Sequence, residues 1–186
     1  MTGITNSQIK SGGMPADNYC YLNKYITEVR INDALPEEYT LEIPDGALIR
    51  SFYNTFYSAP NDNSVQHITI VGSTGLITNW GTTFCRRKAL TTITGELDFT
   101  SATSIDRPFI DCSALVSMRF KSESLKKTMA INSSPNLDTE TLASIINGLA
   151  DLTGGTAQTL TLHATAKANL TAEQLAAATA KNWTIA

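Results

Sequence analysis

The sequence predicts an α/β repeat protein: a short right-handed solenoid with a parallel β-sheet on one face and helices only toward the C-terminus. Three observations predict it. One sequence frame recurs along the middle of the chain, short segments inside that frame alternate apolar and polar residues, and two amphipathic helical patterns follow the last copy. A frame that recurs three or four times at this spacing is typical of solenoids.

The frame is clearest in two neighbouring stretches, FCRRKALTTI (84–93) and FIDCSALVSM (109–118). One constant offset aligns the phenylalanine, alanine and leucine of the first stretch with those of the second. The same offset places VQHITI (65–70) one copy upstream, and a slightly shorter offset places INSSPNL (131–137) one copy downstream. The recurrence predicts repeats over 64–136.

Each copy contains a short predicted strand. The segments HITI, ELDF, SMRF and TLTLH alternate in polarity, and a period of two puts their apolar residues on one face. The 26 threonines fit a chain rich in β-structure. Gly95 predicts a kink in LTTITGELDF, so this segment aligns with its neighbours through either Ile93 or Leu97. The inward residues are Ile68, Ile70, Leu97, Phe99, Met118, Phe120, Leu160 and Leu162.

The C-terminal third alternates strands with helices. DTETLASIINGLADL (138–152) carries the i, i+3, i+4, i+7 apolar stripe of an amphipathic helix, and Asp138 is its predicted N-cap. LTAEQLAAATAKN (170–182) predicts a second helix, in which Thr171 and Gln174 form a capping box. The strands TLTLH and NWTIA follow the helices in turn. This order predicts parallel strands with right-handed crossovers and a helix that closes the end of the solenoid.

The N-terminal third is less regular. Residues 1–13 predict a flexible leader and lack the basic start and apolar core of a secretory signal. Residues 14–63 predict an N-terminal cap or degenerate early repeats. Within them, 21–31 is either a short helix or a pair of strands, 39–43 alternates like a strand, and 48–57 places aromatic residues at helical spacing.

Composition and charge exclude several classes of protein. The 186 residues are 42% hydrophobic and 17% charged, which are values of one ordinary globular domain. A net charge of −3 gives no electrostatic case for binding nucleic acid, and no apolar run approaches the roughly 18 residues of a membrane span. The three cysteines include no C-x-x-C pair. We therefore expect no cofactor, no metal, no nucleic acid and no membrane insertion.

The pattern F-x-x-C-x-x-L-x-x-x-x-F, here FIDCSALVSMRF (109–120), resembles the BspA-like (Treponema pallidum-type) bacterial leucine-rich repeat. The tail 137–186 is similar to the closing segment of repeat proteins from gut bacteria and their phages. The resemblance covers 64–186 and implies a right-handed leucine-rich-repeat-like solenoid at a cell surface or on a phage particle. It implies binding or adhesion and no catalytic residues. The chain departs from the pattern at Arg87, which stands where the repeat has cysteine, and in its few repeats and unmatched N-terminal third.

The resulting hypothesis is a non-catalytic binding or scaffold module that contacts a protein or glycan partner through the outward face of its sheet. Lys121, two positions beyond Arg119, joins the candidate residues. Trp80 joins them too, because its place between Asn79 and Gly81 predicts an exposed loop where an indole stacks on a sugar ring. Strand alternation puts these residues on the outward row: Thr69, Thr92, Thr94, Ser117, Arg119, Thr159, Thr161 and His163.

A cysteine hydrolase is one alternative, with Cys112 as nucleophile. A cysteine nucleophile needs a base and a depressed pKa, and the two histidines, His67 and His163, each stand alone in the sequence. Arg87 and Ser134 occupy the position of Cys112 in other copies of the frame, which favours a packed turn residue. We therefore expect no catalytic residue here.

Two further alternatives concern surfaces. The segments CRRK (85–88) and MRFKSESLKK (118–127) would form a basic patch for an anionic polymer if they share one edge of the solenoid. An exposed end of the solenoid would let the chain act as a structural subunit that self-associates.

Overall fold

The computed structural model describes residues 4–5, 18–31, 34–57 and 64–186 as a mixed α/β structure. Apart from Ile4–Thr5, the predicted leader 1–13 lies outside the described residues. The strands are β1 Ile4–Thr5, β2 Tyr19–Tyr21, β3 Val29–Arg30, β4 Glu38–Glu42, β5 His67–Val71, β6 Thr92–Leu97, β7 Ser117–Phe120, β8 Met129–Ile131, β9 Gln158–Leu162 and β10 Trp183–Ile185. The helices are α1 Thr139–Gly148, α2 Ala164–Ala168 and α3 Ala172–Ala180.

The described strands form three parallel sheets. The largest has five strands in the order β2-β4-β5-β6-β7, which is the order of these strands along the chain. A three-stranded sheet has the order β10-β9-β8, and β1 pairs with β3. His67 pairs with Thr92 and Ile68 with Ile93, which confirms the predicted alignment of 65–70 with the copy that follows it. All eight residues predicted to face inward are buried.

A bulge at Gly95 explains why two alignments of β6 were possible. Thr92 pairs with Ser117, whereas Leu97 pairs with Phe120, so β6 contains two more residues than β7 between these pairs. Gly95 has a φ of 105°, and a Cβ there would overlap the carbonyl oxygen of Ile70. The predicted kink is confirmed, and each alignment holds on one side of it.

The N-terminal residues pair in parallel with the residues that follow them, as the middle of the chain does. A second line of parallel bridges joins Glu28 to Ser51, Ser51 to Asn79 and Asn79 to Ser104. The strands β2 and β4 extend the five-stranded sheet on its N-terminal side. We use "unit" for each segment that runs from one strand of this sheet to the start of the next, so one unit begins at β2 and another at β4.

The helical spacing in 48–57 was misleading, because this segment forms turns. Most of its backbone N–H groups donate to other segments of the chain: the Phe52 N–H binds the Asn79 carbonyl at 2.8 Å and the Phe56 N–H binds the Thr83 carbonyl at 2.9 Å. Leu48 is therefore 47% exposed and does not share a face with the two phenylalanines.

Two rows of aromatic rings run through the core and meet at Phe120. The first row stacks Phe56 on Phe84 and Phe84 on Phe109, with centroids 5.3 and 5.4 Å apart. The second row passes from Phe52 through Trp80 to Phe99. Phe120 contacts the last ring of each row, Phe99 at 4.8 Å and Phe109 at 6.4 Å.

Helix α1 takes the place of the next strand beside β7. The Met118 N–H donates to Thr141 Oγ1 at 3.2 Å, and the Phe120 N–H donates to Ser144 Oγ at 2.9 Å. The predicted N-cap is confirmed, because the Asp138 carboxylate accepts from the Thr141 N–H at 2.7 Å. The helix packs closely, since a Cβ on Gly148 would lie 2.7 Å from Phe120 Cβ.

The remaining C-terminal elements follow the predicted order with shorter bounds. Helix α1 ends before Leu149, which bridges to Leu125, so the predicted 138–152 was too long. The predicted capping box of Thr171 and Gln174 is present at the start of α3. Helix α2 was not predicted, since its five residues are too few to show a periodic stripe.

Phe120→Ala is expected to lower the free energy of unfolding by about 3–5 kcal/mol, because it removes the ring on which both rows end. Urea denaturation followed by circular dichroism measures this change. Leu48→Ala is the matched control, and it should change the same free energy by about 0.5 kcal/mol or less because Leu48 is half exposed. Equal losses in the two variants would contradict this view of the core.

Candidate binding groove

A groove runs along the boundary between the sheet and α1. Its volume is roughly 1030 Å³. The outward side chains of β6 and β7 form its floor, and α1 forms a wall because a helix about 10 Å across stands above the surface of a sheet. We call this the sheet–helix groove. Its polar lining residues are Thr92, Thr94, Glu96, Ser117, Arg119, Ser122, Glu140, Thr141, Ser144 and Asn147.

Four of the predicted outward residues come together in this groove: Thr92, Thr94, Ser117 and Arg119. Thr92 and Ser117 are register partners on adjacent strands. Thr69 lies on β5 and is the register partner of Thr94 on β6. It belongs to the same sheet but does not line the groove. Strand alternation alone therefore located most of the floor.

The outward row does not continue into the C-terminal third, so this part of the prediction was wrong. Thr159 and Thr161 lie on β9, which pairs with β8 and β10 in the separate three-stranded sheet. His163 is the N-cap of α2, where its Nδ1 accepts from the Thr165 N–H at 3.2 Å. The physical reason is that α1 occupies the next position beside β7, so the large sheet ends there.

The predicted exposure of Trp80 was also wrong. Its side chain is 0% exposed, with the Phe52 ring at 5.4 Å and the Phe99 ring at 4.7 Å. The neighbouring Asn79 faces the turn instead, where its side-chain oxygen accepts from the Gly81 N–H at 3.0 Å. Trp80 is thus a core residue that cannot stack on a ligand in this structure.

Lys121 lies just beyond β7 and is engaged in an ion pair. Its Nζ lies 2.7 Å from Asp98 Oδ2, and the Asp98 side chain is only 7% exposed. Burial alone would raise the pKa of Asp98, but hydrogen bonds from Lys121 and Thr100 bring that pKa below its ordinary value. Lys121 therefore compensates a buried carboxylate and does not line the groove.

The predicted basic patch loses its central member. Arg87 is fully buried, and its Nη2 donates to the Tyr57 carbonyl at 3.3 Å. Arg86 is exposed and lies 5.9 Å from the centroid of the Tyr57 ring. The segment CRRK therefore does not present a continuous cationic surface.

Cys112 lies in a turn and is fully buried. Its thiol donates to the Phe84 carbonyl at 3.1 Å. Burial raises the pKa of this thiol to about 12, so it is protonated at neutral pH and lacks the thiolate character of a nucleophile. Ser134, at the equivalent position, is also buried and donates to the Cys112 carbonyl at 3.0 Å. The position supplies a buried donor that ties one unit to the preceding one.

The polar residues of the wall were missed in the sequence, among them Glu140, Ser144 and Asn147. They recur at i, i+4 and i+7 on α1, beside the apolar stripe, and this polar spacing was a usable signal. Glu96 was also missed, although it continues the outward alternation of Thr92 and Thr94 along β6.

Metal and membrane sites are not found in the described part of the chain. No group of three or more His, Cys, Asp or Glu residues in 4–5, 18–31, 34–57 and 64–186 is placed to hold a metal ion. Over the same residues, no helix has the length and apolar character needed to cross a membrane.

No protein-family model matches the chain, and no curated protein or solved structure is detectably similar to it. The resemblance to BspA-like repeats therefore stays a prediction.

Cys112→Ser is expected to remove a pH dependence from stability. In the wild type the unfolded thiol loses its proton near its ordinary pKa of 9.0, whereas the folded thiol keeps it until about 12. Between these two pKa values the Cys112 thiol keeps its proton in the folded state and loses it in the unfolded state. The contribution of Cys112 to the free energy of unfolding therefore falls as pH rises from one value to the other. The wild-type advantage over the variant should shrink by about 2 kcal/mol between pH 9 and 10.5 in urea denaturation. Thr40→Ser is the control, and a constant difference for both variants would contradict the assignment.

Proposed function

We propose that the chain is a short right-handed leucine-rich-repeat-like solenoid that acts as a non-catalytic binding or scaffold module. The repeated backbone geometry supports the solenoid. Thr82 and Arg107 both have positive φ, as do Arg86 and Asp111, and each pair is separated by the same offset as the two clearest copies of the frame. Such backbone conformations are uncommon for residues other than glycine, so their recurrence indicates equivalent turns in successive units.

The sheet–helix groove is the binding surface of this module. The observation that carries the proposal is the state of its hydroxyl groups. The side chains of Thr92, Thr94 and Ser117 form no hydrogen bond within the described chain. Hydroxyls in the turns behave differently: Thr83 Oγ1 donates to the Phe52 carbonyl and Ser134 Oγ to the Cys112 carbonyl. The hydroxyls of these three floor residues are therefore available to a partner, whereas the wall residues Thr141 and Ser144 use theirs on the N–H groups of β7.

The partner is a protein or a glycan, and the bacterial cell surface or a phage particle is the setting. The resemblance to BspA-like repeats supports this setting. A concave polar surface that a rigid scaffold supports is a common place for recognition.

A self-assembling structural subunit is the second candidate. Helix α3 favours it, because Ala178 is the only residue of α3 that is fully buried and Leu175 is 37% exposed. In this case Leu175→Glu should lower the mass that light scattering reports at high protein concentration. A wild-type mass that equals one chain at every concentration would contradict self-assembly.

Ser117→Trp is expected to block the groove and weaken partner binding at least tenfold, a loss of about 1.4 kcal/mol. The measurement compares wild type and variant on a glycan array and on a displayed peptide library, followed by titration of each ligand that the wild type retains. Thr40→Trp is the matched control, since Thr40 lies on β4 of the same sheet and outside the groove lining.

Circular dichroism confirms that both variants fold. Retention of every wild-type ligand by Ser117→Trp would show that the groove is not the binding surface.

A further inference from the structure

The charged groups of the sheet–helix groove point to a particular kind of ligand. Arg119 is exposed on the floor, and it is the only lysine or arginine among the described lining residues. It forms no ion pair with any residue in the described part of the chain. Lys121, which follows β7 directly, is paired with Asp98. A guanidinium in this state suits a carboxylate, which it binds through two parallel hydrogen bonds.

Hydrogen-bonding groups surround this cation on both sides. Glu96 is the register partner of Arg119 on β6, and Glu140 and Asn147 stand on the wall. Carboxylates accept hydrogen bonds from hydroxyl groups, and an amide both donates and accepts. Together with the available hydroxyls of the floor, this set suits a ligand that carries many hydroxyl groups.

The groove lacks the anchors that a protein partner uses. Protein interfaces depend on a few aromatic or large apolar side chains packed in pockets. The large apolar residues that are exposed in the described chain all lie outside the groove lining. These are Tyr21, Tyr25, Leu48, Tyr53, Tyr57, Val71, Leu76 and Leu175. The groove therefore favours a hydrogen-bonded ligand over a protein.

The size of the groove sets the length of that ligand. Its volume of roughly 1030 Å³ lies just above the range of about 300–1,000 Å³ for small-ligand sites. Such a volume accommodates an oligosaccharide of a few rings.

We propose that the sheet–helix groove binds a carboxylated oligosaccharide, with Arg119 on the carboxylate and Glu96, Glu140 and Asn147 on the ring hydroxyls. This inference rests on the proposed function, because it names the ligand class of the same groove.

The test uses the full chain and a panel of acidic tetrasaccharides built from uronic or sialic acids, each paired with its methyl ester. The ester keeps every ring hydroxyl and removes the charge. Isothermal titration should show that at least one acid binds about 10- to 100-fold more tightly than its ester, as expected for loss of a charge-assisted pair. Arg119→Gln should abolish this difference. Lys126→Gln is the control, because Lys126 is exposed and lies outside the groove lining, and it should keep the difference.

Three results would overturn the inference. Equal affinity for acid and ester is one, and an unchanged preference in Arg119→Gln is another. The third is that no acidic tetrasaccharide binds more tightly than about 1 mM. The proposed function would survive any of these if a peptide or neutral glycan bound the wild type and not Ser117→Trp. It would fail together with the inference if no ligand of any class were sensitive to Ser117→Trp.

Discussion

The structure depends on the in-register stacking of each unit's backbone on the unit before it. Strand pairs, isolated bridges and many of the turn hydrogen bonds join corresponding positions of neighbouring units. This register brings like side chains together, so the Phe56, Phe84 and Phe109 rings lie nearly parallel, with interplanar angles of 10° and 6°. Phe120 contacts the last ring of each aromatic row, so its substitution affects both rows.

The junction at Phe120 also creates the groove. Helix α1 replaces a strand there, and the Thr141 and Ser144 hydroxyls accept the β7 N–H groups that the next strand would otherwise bind. The edge of the sheet is thereby closed without another strand, which removes a site of unwanted pairing. Because a helix is thicker than a strand, the presence of α1 in place of a strand also forms a wall beside β6 and β7. The packing of α1 beside β7 therefore both closes the edge of the sheet and forms the groove.

The sequence predicted features that depend on local spacing and missed those that depend on the neighbouring unit. Strand alternation identified the inward residues and four floor residues, because a period of two is visible within one segment. Trp80 and Arg87 were misplaced because their burial is decided by Phe52, Phe99 and the Tyr57 carbonyl, which lie in other units. Thr161 was assigned to the wrong sheet because the partner of β9 depends on where α1 packs. Spacing within a segment contains no information about that packing.

The contrast between turns and floor explains how this arrangement suits binding. Turn side chains such as Thr55, Cys112 and Ser134 use their donors on carbonyls of other units, so the turns are held by buried hydrogen bonds. The floor strands rest on the buried side chains of Ile93 and Met118. Under the proposed function, polar groups on such a floor are positioned before a ligand arrives, which reduces the conformational entropy lost on binding. A groove without large apolar anchors needs this preorganisation, because its affinity has to come from several hydrogen bonds formed together.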